Sequence, residues 1–451
     1  MYKECLKPQN IFAFICLFFG LFFVFFNPPF QTPDEAQHFF KMWGFTQGTF
    51  NFKVLNGYSG DVLPDSVIKI SKFDRLCRHP ELKTSAGEIF SALKIKLEKD
   101  KTSFYVFTPT SYTPVSYFPV FLILWAMKLV SVPPLIMLYI MRLCSLFLYT
   151  GLCYHAIKVM PFKKWLFVLL TLLPMAVYEG SSATVDPLTT GIGFLLVAYT
   201  LHLAYSDSVK NIGKKELCIF GFLITLLLLC KYAYLPFLFL YFVLPREKFS
   251  SAKIYWSVFV FLALLNTVVI SLFIYHVTNV SQGIVTGAPG YDKKFMIAFI
   301  LNRFHWFMDF VFKTLYAYWL SYYYAFIGLL GCNDAPLPLF ALNFYSVMLF
   351  GSALIKTNNE EKALCLKDKI IFVLIFLLTG LVILASVFIL FQCYPLFCGV
   401  QGRYFIPVMP LFFLLFDNKK IVWNKYPLLL ILCILILIPF SVTTILGRFY
   451  L

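Results

Sequence analysis

The chain has 451 residues, of which 60% are hydrophobic and 13% charged, and its mean hydropathy is +0.79. That composition excludes a soluble globular fold and defines an all-α, polytopic integral membrane protein, because repeated apolar stretches of bilayer length have no soluble core to fill. A formal net charge of +16 would suggest nucleic acid as partner in a soluble chain, but here the lysines sit in short loops between apolar runs, at 210–216, 245–253, 356–369 and 417–425. The positive-inside bias accounts for them without nucleic acid and places these loops in the cytoplasm.

The first apolar run, 11–26, is expected to remain as a span, since Asn27-Pro28-Pro29 lacks a small-residue cleavage site. The N-terminus, with Lys3 and Lys7, is then cytoplasmic, and residues 28–113 form a long exoplasmic first loop. This loop carries 9 of the 22 acids and 11 of the 38 bases, which loops of this length carry across regardless of charge. Within it, 34–43 and 85–97 read as short amphipathic helices suited to a membrane surface. Further apolar runs follow at 115–129, 135–156, 166–177, 188–205, 217–229, 232–244, 254–276, 295–330, 337–355, 370–391, 405–416 and 426–445. Together they predict a single membrane domain over 1–451, a bundle of about 11 to 13 transmembrane helices, with parity open at 131–134 and 295–330. Most of the twelve cysteines lie in apolar runs; Cys16, Cys144, Cys153, Cys218, Cys230 and Cys433 read as small core residues. Cys393 and Cys398 bracket an outward loop and are either disulfide-bonded or free.

Thr32-Pro33-Asp34-Glu35, just past the first run, is a helix-start signature that also brings two acids to the membrane boundary. Thr32 and Glu35 fit a capping box with Pro33 at the first helical position, and Asp34 suits either the helix dipole or general-base chemistry. His38 follows Asp34 by one helical turn and shares its face. Ionisable residues stranded in apolar sequence are costly and mark sites. Arg142, within a span, should pair with an acid or a phosphate. Lys231 divides 217–244 into two short halves, as in a tight hairpin with the lysine at its outer tip, or as a snorkelling anchor. Glu179 and Asp186 flank Gly180-Ser181-Ser182-Ala183 on the same outer side, where helix capping is the alternative. In Gly399-Val400-Gln401-Gly402-Arg403-Tyr404-Phe405-Ile406-Pro407, the glycines flanking Gln401 let the backbone bend toward a ligand, and Arg403 offers a planar fork for phosphate oxygens or an interfacial anchor. The aromatic run 316–326 reads as an interfacial belt that could also stack on sugars. No spacing suggests a metal, and no cofactor is expected.

The stretch Pro29-Phe30-Gln31-Thr32-Pro33-Asp34-Glu35-x-x-His38, Tyr112-Thr113-Pro114 with Tyr117-Phe118-Pro119, Gly328-x-x-Gly331 through Pro338, and Gly399 to Pro407 together resemble a family of bacterial predicted membrane proteins of unknown function, grouped with the GT-C membrane glycosyltransferases. The similarity runs over nearly the whole chain, and Gln401-Gly402-Arg403-Tyr404-Phe405 is its most specific part. The resemblance implies a GT-C-like bundle in a bacterial inner membrane, with an exoplasmic site in the first loop, an acid there as base, and a lipid-linked sugar as donor. On it, Asp34 matches the catalytic acid with Glu35 beside it, and Lys231 the basic residue that meets the lipid phosphate. His38, Arg142, Glu179, Asp186, Gln401, Arg403 and Tyr404 are assigned to substrate binding. The expected partners are a polyprenyl-phosphate sugar, a glycan or lipid acceptor and membrane lipids. The alternatives are a non-catalytic carrier or flippase of lipid-linked sugars and a polymerase or ligase of surface polysaccharide.

Overall fold

The computed structural model describes residues 7–50, 53–56, 58–107, 112–280, 293–357, 362–391, 399–417 and 420–451. The fold is a helical bundle with two distinct ends. It opens with α1 (Pro8–Phe26), whose Phe14, Phe18 and Phe25 face outward while Phe12, Cys16 and Phe23 face the core. Gly20 lets α1 lie directly on α6 (Pro134–Val159), since a Cβ there would stand 2.2 Å from Leu146 Cδ1. Close approach at a small residue is how helices associate where no water drives them together.

The first loop is not a pair of surface helices. Its helix α2 (Glu35–Thr46) is buried on nearly every side, because Phe39, Phe40, Met42 and Trp43 are all drawn into the core. The loop continues through β1 (Lys53–Leu55), β2 (Tyr58–Pro64), α3 (Asp65–Ile70), a 3₁₀ turn Ser71–Leu76, α4 (Ala86–Leu93) and β3 (Thr102–Val106). The three strands form an antiparallel sheet in the order β1-β2-β3, so the all-α expectation fails for this loop. The helix expected over 85–97 is shorter, α4, with the Ser85 hydroxyl accepting from Glu88 N at 3.2 Å.

Beyond the loop, α5 (Val120–Leu129) stays against α2, with Lys128 Nζ donating to Thr46 Oγ1 at 3.0 Å. The run 115–129 therefore turns back at 131–134 on the first-loop side. After α6 come α7 (Lys164–Thr171), α8 (Pro174–Gly180), α9 (Asp186–Tyr205), α10 (Lys214–Cys230) and a 3₁₀ helix Tyr232–Val243, followed by α11 (Ala252–Val280). The remainder comprises α12 (Lys293–Asn302), α13 (Phe304–Gly328), a β4–β5 ribbon (Leu329–Leu330 with Ala335–Pro336), α14 (Leu339–Leu354), α15 (Leu366–Phe391), a 3₁₀ segment Gly402–Val408, α16 (Met409–Leu414) and α17 (Tyr426–Phe449).

Among the described residues, six helices are long and apolar enough to cross a membrane, or up to seven if the pair Phe295–Asn302 and Phe304–Gly328, bent by 96°, counts as one span. This is fewer than the expected 11 to 13. The difference has a local cause: several apolar runs are interrupted or short. Pro174 opens a new helix after α7, Tyr232–Val243 is wound as a 3₁₀ helix around Pro236, and Gly402–Leu414 changes from 3₁₀ to α.

Hydrogen bonds define the two ends. At one, the basic loops meet: Ile212 N donates to Lys248 O at 2.8 Å, Lys356 N to Ile421 O at 2.9 Å, and Lys163 Nζ to Ala353 O at 2.7 Å. At the other, the first loop is tied to the rest of the bundle. Thr84 N donates to Phe449 O at 2.9 Å, and Arg448 pairs with Asp334 at 2.7 Å. A disulfide joins Cys77 to Cys332 across 255 residues of sequence. Sequence reasoning did not find this pair; the cysteines it named, Cys393 and Cys398, lie outside the described residues. Cys218, expected in the core, is exposed.

Candidate functional site

The site begins with a turn that two buried residues hold. Arg142 and Glu35 are both 0% exposed, and their Nη2 and Oε2 atoms lie 2.5 Å apart. Arg142 uses all five of its N–H groups: Nε and Nη2 on Glu35, Nη1 on the Val24 and Asn27 carbonyls at 3.2 and 2.7 Å, and Nη2 again on Pro28 O at 3.0 Å. Glu35 in turn accepts from Phe30 N at 3.1 Å and Ala183 N at 3.0 Å. Tyr178 OH closes the network on Gln31 O and Asn27 Oδ1.

The capping box expected of Thr32 and Glu35 does not form, because Glu35 is recruited by Arg142 from 107 residues away. The helix instead starts after Asp34, whose φ of 63° is left-handed and whose side chain makes no capping bond. Glu35, expected as a catalytic group, is instead placed as a structural one: its carboxylate is fully enclosed and both oxygens are engaged. Nor does Arg142 face a substrate; it meets the acid that its position in a span required.

Asp34 points the other way, into a cluster of charge. Arg403 Nη2 donates to Asp34 Oδ2 at 2.5 Å, Arg403 Nη1 to Asp186 Oδ2 at 2.8 Å and Glu179 Oε1 at 3.2 Å, and Arg403 Nε to Gln401 Oε1 at 2.5 Å. Asp186 also pairs with Lys231. The Lys231 ammonium lies over two rings, Tyr112 at 5.8 Å and Tyr404 at 5.3 Å, within cation–π range. Of the six Asp, Glu, His, Lys and Arg candidates other than the buried pair, five therefore converge, from the first loop, α8, α9, the α10 hairpin tip and the 402–408 segment. The sixth, His38, borders them: its Nδ1 is 2.7 Å from Tyr117 OH, and its ring packs on Tyr112. Burial pushes His38 down to about 4, against the pull of Asp34, so it is a neutral imidazole near pH 7.

Exposure separates the members. The Asp34 side chain is 46% exposed and that of Arg403 only 3%. Arg403 is thus neither an interfacial anchor nor an open fork; carboxylates already occupy it. Glu179 and Asp186 are not free caps either, since both face Arg403. Glu179 Oε2 is buried without a hydrogen-bond donor. Tyr112, Tyr117 and Tyr234, whose OH donates to Tyr404 O at 2.9 Å, were not singled out as site residues. The only signal for the first two was their place in the motif that opens the second apolar run.

The glycine at 402 serves the fold rather than a ligand. A Cβ there would stand 2.1 Å from Tyr322 O and 2.4 Å from Phe326 N, so the Arg403 segment lies on the backbone of α13. Backbone cannot step aside as a side chain can, and overpacking costs about 1–3 kcal/mol or more. Gly402→Ala is expected to lower the thermal midpoint of the purified protein by several degrees and to pull Arg403 off Asp34. An unchanged midpoint would show that α13 does not bear on this segment.

Such features define a class: a multi-pass helical membrane protein with a buried ionic cluster beneath its first long loop. Within that class the chain belongs to the family described as predicted membrane protein (DUF2142), whose model matches residues 17–412. No curated protein and no solved structure matches the chain. The matched span includes every residue of the cluster.

Proposed function

We propose that this protein is a membrane glycosyltransferase that moves a sugar from a polyprenyl-phosphate donor to a glycan or lipid acceptor on the exoplasmic side of a bacterial inner membrane. The observation that carries this reading is the half-exposed Asp34 carboxylate at the rim of an otherwise buried cluster holding two cations. A carboxylate at a surface opening suits a general base, and fixed cations behind it suit a departing phosphate.

In this reading the acceptor hydroxyl gives its proton to Asp34 while its oxygen bonds to the anomeric carbon of the donor. The bond from that carbon to the phosphate oxygen breaks, and its electron pair leaves with the phosphate, where Lys231 and Arg403 meet the charge. One base and one leaving-group clamp imply a single displacement with inversion. The part-exposed Tyr112 and Tyr404 rings beside Lys231 offer faces on which a sugar ring stacks, and neutral His38 is buried against Tyr112. The GT-C resemblance of the sequence motifs agrees with this plan but reaches chemistry only by analogy. The interruption at Pro174 and the 96° bend between Phe295–Asn302 and Phe304–Gly328 favour a second reading, a carrier of lipid-linked sugars, since transporters use broken helices.

Purified protein in liposomes with a polyprenyl-phosphate sugar and envelope lipids or glycans as acceptors separates the two. Transfer to an acceptor supports the enzyme; movement of intact donor across the bilayer with no transfer overturns it. Orientation is checked independently. Lys99→Cys, on the exposed surface of the first loop, is expected to react with an impermeant maleimide in intact cells, in a background retaining only the Cys77–Cys332 bridge. Labelling only after lysis would place this loop in the cytoplasm and end the exoplasmic site.

A further inference from the structure

We infer that Asp34 holds, in the ligand-free protein, the place on Arg403 that a phosphate oxygen takes when an anionic ligand binds, so that binding of the phosphate releases the Asp34 carboxylate. This deepens the transferase reading and rests on its assignment of phosphate to Arg403 and Lys231.

The guanidinium has a committed side and an exchangeable one. Nε is held by Gln401, and Nη1 by Glu179 and Asp186 together. Nη2 alone reaches a half-exposed carboxylate: the Asp34 side chain is 46% exposed, against 11% for Asp186 and 4% for Glu179. Of the three carboxylates, Asp34 leaves at the lowest cost, because its half-exposed side chain regains water as it turns away. Withdrawing Asp186 would strip both Lys231 and Arg403 of a buried partner and leave uncompensated charge in the interior. The leaving motion needs no backbone change: residue 34 is fixed in its left-handed conformation by the Glu35–Arg142 knot, and rotation about Cα–Cβ carries the carboxylate off Arg403. Loss of Asp34 leaves two cations facing two buried carboxylates, and a phosphate at Nη2 and Lys231 restores the third anion.

The consequence is an order of events. While Arg403 holds Asp34 Oδ2, that oxygen is turned toward the guanidinium and not toward an acceptor hydroxyl. A phosphate that displaces it supplies the leaving group and frees the base in one step, which disfavours attack before the donor is seated.

The ligand chemistry is a phosphate group, either esterified in a lipid headgroup or free as inorganic phosphate, and two probes distinguish them. Full-length protein in detergent is titrated with inorganic phosphate by calorimetry and with polyprenyl monophosphate by native mass spectrometry. Asp34→Asn removes the competing charge and is expected to bind at least one probe about tenfold more tightly than the unsubstituted protein. A gain confined to the lipid probe names the headgroup as ligand, and a gain confined to inorganic phosphate names the free anion. Arg403→Lys should bind more weakly and largely cancel the gain when combined with Asp34→Asn, since a lysine offers no Nη2 edge. Unchanged or weaker binding of both probes by folded Asp34→Asn overturns the competition. Failure of the unsubstituted protein to transfer sugar, together with tighter phosphate binding by Asp34→Asn, would instead sink the transferase reading and leave the exchange at Arg403 standing.

Discussion

Asp34→Asn is expected to give a folded protein whose sugar transfer falls by about 10²–10⁴-fold, the usual contribution of a positioned general base. The substitution isolates chemistry from structure for reasons visible around residue 34. Its backbone is left-handed, with φ of 63°, a conformation that asparagine adopts more readily than most other residues. Its side chain makes no capping bond that the amide would have to replace. The carboxylate it gives up is half-exposed, and the buried Arg403 keeps Glu179 and Asp186 as partners. What asparagine cannot do is accept the proton of an attacking hydroxyl. The measurement is transfer from a polyprenyl-phosphate sugar in liposomes, with the thermal midpoint of each protein alongside. Near-normal transfer would remove Asp34 as base; an equal fall of midpoint and activity would return it to a structural role.

Asp34, Glu179, Asp186, Lys231 and Arg403 were each legible in the sequence as candidates, although their convergence and pairings were not. Each was visible for one physical reason: an ionisable group beside or within apolar sequence has to find a partner. Which partner it finds is decided by packing over separations as large as 369 residues, and no local pattern carries that. The same limit explains the misread Thr32-to-Glu35 signature. A capping box is a local preference worth about 1 kcal/mol, and it gave way to a buried arginine that fixes Glu35 from α6. The span count failed differently. Hydropathy sees apolar length but not winding, so a run broken at Pro174 or wound into a 3₁₀ helix at 232–243 reads as an ordinary span. The small sheet of the first loop and the Cys77–Cys332 bridge were hidden because both join segments with no mutual signature in sequence.

Removing Arg142 is expected to be the most damaging single change to the fold, costing about 3–5 kcal/mol, because it strands the Glu35 charge in the interior. Arg142→Met also leaves the Val24, Asn27 and Pro28 carbonyls without their donor, and unsatisfied buried acceptors add to the loss. Arg142→Lys keeps the charge but has three donors where five are in use, so it should fall between. Glu35→Gln leaves Arg142 uncompensated and should lower the thermal midpoint markedly, in contrast to the mild effect that a capping role would give. The double variant Glu35→Leu with Arg142→Met removes both charges and is expected to be less destabilised than the sum of its single changes, the signature of a coupled pair. Thermal unfolding in detergent reads all four. Transfer per folded molecule decides what the pair is for: a positioning knot shifts Asp34 and weakens transfer in step with stability. If Glu35→Gln kept its midpoint and lost transfer alone, Glu35 would belong with the reacting groups, and the turn that presents Asp34 would have to be held by something other than Arg142.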